Sequence, residues 1–340
     1  MAGQRLMFGF DGTTLNTGLE ALIGDFKVGG LKKYGLDYET LKKTNPGLVY
    51  CSITGFGQDG PYARRAGYDF LLQGMGGLMS ITGEPDATTA DGRHVGGPVK
   101  VGVAICDEVT GLNATAAILT ALIARDRTGE GRHIDIALLD ATVAALVNQA
   151  STHLVDGSVP GRMGNAHPTV APYNAFQTAD GHIQITALTD AQGAALVAIL
   201  GLDPHDDAHL QTQKTMSAHH DAVRELFAER LRDETTAHWA GRLREAKVPH
   251  AQVRDFEGAV TDPQLAHRGI IQDVPAPKGS THGAIDPLNL IAAAFTANQE
   301  GPAIFGAPPA LGQHNTEVLT ECGFTVGEVA AMRRTLRPDH

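Results

Sequence analysis

The chain has 340 residues, of which 42% are hydrophobic and 19% charged, enough apolar content to bury the core of one large domain or of two ordinary ones. Its 27 Lys and Arg against 38 Asp and Glu leave a formal charge of -11, and no basic run with interleaved aromatics is present to neutralise a phosphate backbone, which argues against nucleic acid as a partner. Cys51, Cys106 and Cys322 lie far apart with no CxxC pair, which excludes a disulfide framework or a Cys-based zinc site and makes the cytoplasm the expected compartment. The longest apolar stretch, around 116–124, is too short for about 30 Å of hydrocarbon. The N-terminus also lacks a basic-then-apolar secretion pattern, so no membrane partner is expected.

In chain order, Leu48 to Thr54 is a short β-branched and aromatic run that predicts a buried strand entering the Gly55-Phe56-Gly57 loop. Glu84 to Pro98 carries turn residues and no period, which predicts an exposed excursion. From Asp107, Leu112, Ala116, Leu119, Leu122 and Ile123 recur at three and four, predicting an amphipathic helix that stops at Thr128-Gly129-Glu130-Gly131. His133 to Ala137 alternates as a strand, and Leu138 to Val147 is helical again, the rhythm of an α/β domain. Pro160 to Asn165 breaks that rhythm as a hinge or lid. A smaller unit follows, with a strand at His182 to Thr186 and charged helices over 221–245 whose apolar positions are Val223, Leu226, Phe227, Leu231, Trp239 and Leu243. After Pro263, prolines at 275, 277, 287, 302, 308 and 309 predict a loop-rich return segment closed by a helix near 315–322.

Five features invite a chemical reading. Gly55-Phe56-Gly57-Gln58-Asp59-Gly60 matches GxGxxG after a strand, but Pro61 and Tyr62 follow at once and no helix opens there, so a turn is the better reading than nicotinamide binding. Phe8-Gly9-Phe10-Asp11-Gly12-Thr13 resembles the aspartate-phosphatase signature, yet Gly9 stands where the nucleophile is needed. His205, Asp206, Asp207 and His209, with His219 and His220, lack an HExxH-type frame and read as a solvated face, so no metal site is expected. Cys106 ends the apolar run Val101 to Ile105, where a buried inert thiol is the ordinary case. Asp107 stands where that strand-like run gives way to a helix. It is first of all an N-cap, and it is also a carboxylate at the C-terminal end of a strand beside free helix N–H groups that suit an oxyanion.

Blocks running along the chain include Phe26-Lys27-Val28-Gly29-Gly30-Leu31, Asn45-Pro46-Gly47-Leu48-Val49-Tyr50, Ser52 to Tyr62, Gly67-Tyr68-Asp69-Phe70, Thr82-Gly83-Glu84-Pro85, Asp107 with Thr110-Gly111, Arg127-Thr128-Gly129-Glu130-Gly131, Arg162 to Pro168, Thr178-Ala179-Asp180-Gly181 and Asp262-Pro263-Gln264-Leu265. Through them the chain, from about Asp25 on, resembles the class III CoA-transferase family of CaiB/BaiF type, which includes formyl-CoA transferases.

The resemblance implies reversible transfer of coenzyme A from an acyl-CoA thioester to a free carboxylic acid, with Asp107 matching the family's nucleophilic aspartate and no permanently bound cofactor. It implies that Gly161, Met163, Gly164 and Asn165 form a glycine-rich loop over the intermediate, and that Asp25, Phe26, Lys27, Lys33, Arg65, Ala66, Gly67 and Tyr68 line the coenzyme A site. Related α-methylacyl-CoA racemases carry a histidine where this chain has Tyr68, and Thr189 stands near the place of their glutamate. A phenol with ordinary pKa near 10 is a poor base at pH 7, so Tyr68 favours transfer.

The expected fold is an incomplete doubly wound (Rossmann-like) α/β large domain over 1–160, its N-terminal part truncated relative to the family, with residues 1–22 unlike the family's start. A glycine-rich loop and linker over 161–172, a small α/β domain over 173–256 and a C-terminal return over 257–340 complete it, in an interlocked homodimer. The family's Glu-Asn-Phe reads Gly24-Asp25-Phe26 here, which places a carboxylate near the coenzyme's phosphates, with Lys27, Lys33 and Arg65 as counter-charges. The rival reading is a paralogue that keeps the fold and serves as a partner subunit.

Overall fold

The computed structural model describes residues 30–276, 287–298, 301, 304, 306–309 and 312–335. Asp25, Phe26, Lys27 and the Phe8 to Thr13 run lie outside the described residues. The chain divides into two compact units, Met1–His250 and Ala251–His340.

The first unit begins with a 3-10 helix (Gly30–Tyr34), α1 (Tyr38–Leu41) and β1 (Tyr50–Thr54), followed by α2 (Asp69–Met75), α3 (Leu78–Ile81), β2 (Ala87–Thr88) and β3 (His94–Val95). The long α4 (Ile105–Thr128) leads to β4 (His133–Ala137), α5 (Leu138–Ala144) and α6 (Val147–Asp156). β1 and β4 are parallel, from Tyr50 opposite His133 to Thr54 opposite Ala137, and parallel neighbours need a crossover of the kind α4 provides. Two glycine turns set that register. Gly129 closes α4 at φ +75°, and the Gly131 N–H donates to the Pro46 carbonyl at 2.8 Å. Gly131 runs so close to Leu48 that a Cβ there would lie 2.0 Å from the Leu48 carbonyl oxygen.

Four expectations change in this unit. The excursion over 84–98 is not wholly irregular, because β2 and β3 pair antiparallel within it. Val101 to Ala104 forms no strand; it is coil leading into α4. The predicted helix over 138–147 is two helices, α5 and α6, separated by a turn at Ala145 and Leu146, after which Val147 opens α6 at φ +36°. The helix expected from Asp107 is α4, but its stripe of large apolar residues faces away from the chain's own core: Leu112 is 73% exposed, Leu119 54% and Ile123 57%. The buried positions are Cys106, Thr110, Ala114 and Ala121, whose small side chains let α4 lie close to its neighbours.

The rest of the first unit comprises β5 (Tyr173–Gln177), β6 (His182–Thr186), α7 (Asp190–Ile199), α8 (Gln213–Ala218), α9 (His220–Leu231) and α10 (Thr236–Glu245), with β7 (His250–Gln252) where the unit ends. The sheet order is β5-β6-β7. Alternation on β6 buries Ile183 and Ile185 completely and leaves His182 and Gln184 outside, so one face covers the core. Val223, Phe227, Leu231, Trp239 and Leu243 join them there as the periodicity predicts, while Leu226 is only partly buried, and the Trp239 indole N–H donates to the Leu231 carbonyl at 2.9 Å.

In the second unit, α11 (Phe256–Val260), α12 (Pro263–Arg268), β8 (Ile271–Val274) and the antiparallel β9 (Leu288–Ile291) give more order than the prolines suggested. The expected closing helix is α13 (Asn315–Glu321), and α14 (Val326–Thr335) follows it. Among the described residues, no helix is long and apolar enough to cross a membrane.

Candidate active site

β1 delivers the chain to a loop that crosses the start of α2 at van der Waals limit. A Cβ on Gly67 would lie 2.4 Å from the Gly55 Cα, and one on Gly55 2.5 Å from the Gly67 Cα, so only a glycine pair allows the crossing. This gives the first glycine of the GxGxxG run its role. The second, Gly57, sits at φ +90° with its N–H on the Thr54 hydroxyl at 2.9 Å, and Gln58 N–H donates to the Asp135 carboxylate at 2.9 Å. No helix follows Gly60, so the run is a turn and not a pyrophosphate cradle.

The crossing presents Arg65, Ala66, Gly67 and Tyr68 together at the entry to α2. Arg65 stacks its guanidinium over Tyr62 (4.7 Å to the ring centroid) and Phe56 (5.5 Å) and is exposed. Tyr68 is the N-cap residue of α2 and is 69% exposed, so its phenol is open to a ligand. Lys33 lies in the 3-10 helix Gly30–Tyr34.

Asp107 is not the N-cap of α4. Ala104 holds that position and has no side chain to bond the first turn, and Asp107 is the third helical residue. Of the first-turn donors expected to serve an oxyanion, those of Ile105 and Cys106 are engaged. Ile105 N–H donates to the Val103 carbonyl at 2.9 Å, Glu108 N–H to the Ala104 carbonyl at 3.1 Å, and Cys106 N–H to Asp69 Oδ1 at 2.8 Å. Asp107 is an exposed residue, yet partial burial of its carboxyl raises its pKa above the ordinary carboxylate value, and the nearby Asp69 charge raises it further. Cys106 is 2% exposed and burial pushes its thiol pKa up, which fits an inert neighbour.

The glycine loop rests on the segment that leads from α3 to α4. Gly164 N–H donates to the Gly83 carbonyl at 2.9 Å, Arg162 Nε to the Glu84 carbonyl at 3.2 Å, and the Arg162 guanidinium pairs with the Asp86 carboxylate. Gly164 sits at φ +59°, and a Cβ there would meet the Glu84 carboxylate oxygens at 2.6 Å. Met163 is half-buried, while Gly161 and Asn165 are exposed.

Sequence reasoning gave no role to two side chains that hold this arrangement, Asp69 and Gln73. Their spacing of four on a helix was the available signal. Of the histidine group, His209 and His219 come together with rings stacked 4.0 Å apart, and Asp207 caps the 3-10 turn Ala208–Leu210. Among the described residues, no group of three or more His, Cys, Asp or Glu is placed to hold a metal.

A sequence profile of the family described as CoA-transferase family III matches residues 17–315. The chain is 42% identical over 309 residues to a succinate–glutarate CoA-transferase of Agrobacterium fabrum, a match covering 89% of this chain and 72% of that protein. It is 33% identical over 303 residues to the mouse succinyl-CoA:glutarate CoA-transferase, covering 89% of this chain and 66% of that one. Its mixed α/β fold matches the crystal structure of a CaiB/BaiF family protein from Brucella suis with a TM-score of 0.73 and 40% identity, over 87% of this chain and 73% of that chain.

Proposed function

The chain belongs to CoA-transferase family III, and from that membership we propose that it moves coenzyme A from an acyl-CoA thioester to a free carboxylic acid through an aspartyl-CoA thioester on Asp107. The observation that carries this reading is the placement of Asp107 in the first turn of α4, tied through the adjacent Cys106 N–H to the residue that follows Tyr68. The Asp107 carboxylate attacks the thioester carbonyl carbon, the C–S bond breaks, and a mixed anhydride and CoA thiolate result. The thiolate then attacks the Asp107 carbonyl of the anhydride, releases the donor acid as its carboxylate, and leaves the aspartyl thioester. The acceptor carboxylate runs the same two steps in reverse. Anhydride and thioester exchange at each stage, so the donor thioester supplies all the activation.

In this reading Tyr68 lines the reacting end and Arg65 serves the coenzyme's phosphates. The 161–165 loop covers the intermediate, because water would hydrolyse an anhydride. Short dicarboxylic acids are the substrate class, supported by the names of the Agrobacterium and mouse relatives. The doubly wound large domain belongs to the same reading, supported by the parallel β1–β4 pair with α4 between them. So does an interlocked homodimer, supported by the exposed apolar stripe of α4 and by Leu154, Val155 and Val159 on and after α6, all more than 80% exposed.

Steady-state transfer from succinyl-CoA to glutarate tests the proposal. Ping-pong kinetics, and their complete loss in Asp107→Ala, are the expected result. A ternary-complex pattern, or an Asp107→Ala variant that still transfers, contradicts it.

A further inference from the structure

α4 starts without a cap of its own. Its N-cap residue is Ala104, and the residues leading into it, Val101 to Val103, belong to no strand that would fix them. Asp69 on α2 supplies what is missing. Its Oδ1 accepts the Cys106 N–H at 2.8 Å, the bond that a capping side chain would otherwise accept from within the same helix. Its Oδ2 accepts Gln73 Nε2 at 2.7 Å. Gln73 is completely buried, and its Oε1 accepts the Val101 N–H at 2.8 Å while its Nε2 also reaches the Val103 carbonyl at 3.4 Å. One side-chain pair on α2 therefore holds both the coil that enters α4 and the first turn of α4.

Building on the proposed function, we propose that Asp69 is a positioning residue for Asp107: it caps α4 from a neighbouring helix and, braced by Gln73, fixes the first turn so that the Asp107 carboxylate meets the thioester carbonyl. The bonded Cys106 N–H is one residue from Asp107, so rotation or fraying of that turn displaces the nucleophile directly. An ionised carboxylate suits the task because both of its oxygens accept, and such bonds are shorter and stronger than neutral ones. The same charge stands near the positive end of a 24-residue helix. A misplacement of about 1 Å at a reacting group costs on the order of a hundredfold in rate, so a modest loosening of this turn has a large effect on chemistry and little on coenzyme binding.

The test is the rate of CoA adduct formation at saturating succinyl-CoA, followed by rapid quench and intact mass, beside the calorimetric affinity for free coenzyme A. Parent, Asp69→Asn and Gln73→Ala are compared well below their melting temperatures. Asp69→Asn keeps one acceptor for Cys106 N–H but turns an amide NH2 against that of Gln73. It is expected to slow adduct formation about tenfold or more, with the parent's coenzyme affinity, and Gln73→Ala to fall between the two. Asp69→Asn acting at the parent's rate overturns the inference, and so does a loss of rate matched by an equal loss of affinity, which marks a merely structural role. If Asp69→Asn does not fold, Gln73→Ala decides alone: a slowed rate with the parent's affinity supports the inference, and the parent's rate overturns it. No adduct on the parent itself overturns the proposed function and this inference together.

Discussion

Two carboxylates in this chain move in opposite directions, and the cause in each case is a named contact. Asp107 is raised by partial burial and then by the charge of Asp69. Nucleophilic attack needs the ionised form, so turnover falls as pH drops through a value raised above that of an ordinary aspartate. Removing the neighbouring charge in Asp69→Asn moves that acid limb to lower pH, which a pH profile of kcat/KM reads directly. Asp180 is lowered, first by the Thr236 backbone N–H at 2.7 Å, then by the Thr236 hydroxyl at 2.8 Å, and also by the Thr178 hydroxyl. Its folded pKa lies below the unfolded one, so its contribution to stability is complete above the unfolded value and is lost as pH falls through the folded value. Asp180→Asn should lower Tm at pH 7 and flatten the decline of Tm in acid; an unchanged acid decline would show that Asp180 carries no such linkage.

The sequence blocks that carry the family resemblance meet in pairs at the level of elements. The Asn45-Pro46-Gly47 turn locks onto the turn at Gly129 to Gly131, Gly55 crosses Gly67, Gly83 accepts from Gly164, and Thr178 to Asp180 clamp the first turn of α10 through the Thr178 hydroxyl on Thr236 at 2.6 Å. Asp262 caps α12 with Pro263 at its first turn and pairs with Arg254. Gly67→Ala should therefore cost about 1–3 kcal/mol in urea unfolding, because its Cβ meets backbone that cannot rotate away; a stability equal to the parent's would show that the crossing relaxes. Strand and helix periods were readable in β6, α9 and α10 because one face of each is buried in the chain's own core, whereas β1, expected as a buried strand, buries none of its residues and leaves Ile53 half exposed. α4 defeated the reading of burial, since Leu112, Leu119 and Ile123 of the expected stripe are exposed while its buried positions are the small Cys106, Thr110, Ala114 and Ala121. The N-cap reading of Asp107 failed for a related reason. The cap comes from Asp69, 37 positions away in sequence, and no local pattern announces a side chain donated by another helix.

At the scale of the molecule, the exposed stripe of α4 departs from a self-sufficient core. Leu112→Glu combined with Leu119→Glu should convert a homodimer into monomers in sedimentation velocity, since like charges would then face each other across a two-fold contact. Monomeric parent protein at the same concentration would contradict the homodimer. The central claim concerns a covalent bond that the whole protein must carry, and intact mass after incubation with succinyl-CoA, run beside Asp107→Ala, tests it most directly. The account predicts a CoA-sized increment on the parent alone, removed by hydroxylamine and mapped to the peptide containing Asp107. An increment that persists in Asp107→Ala, or none on the parent with any acyl-CoA, would contradict it.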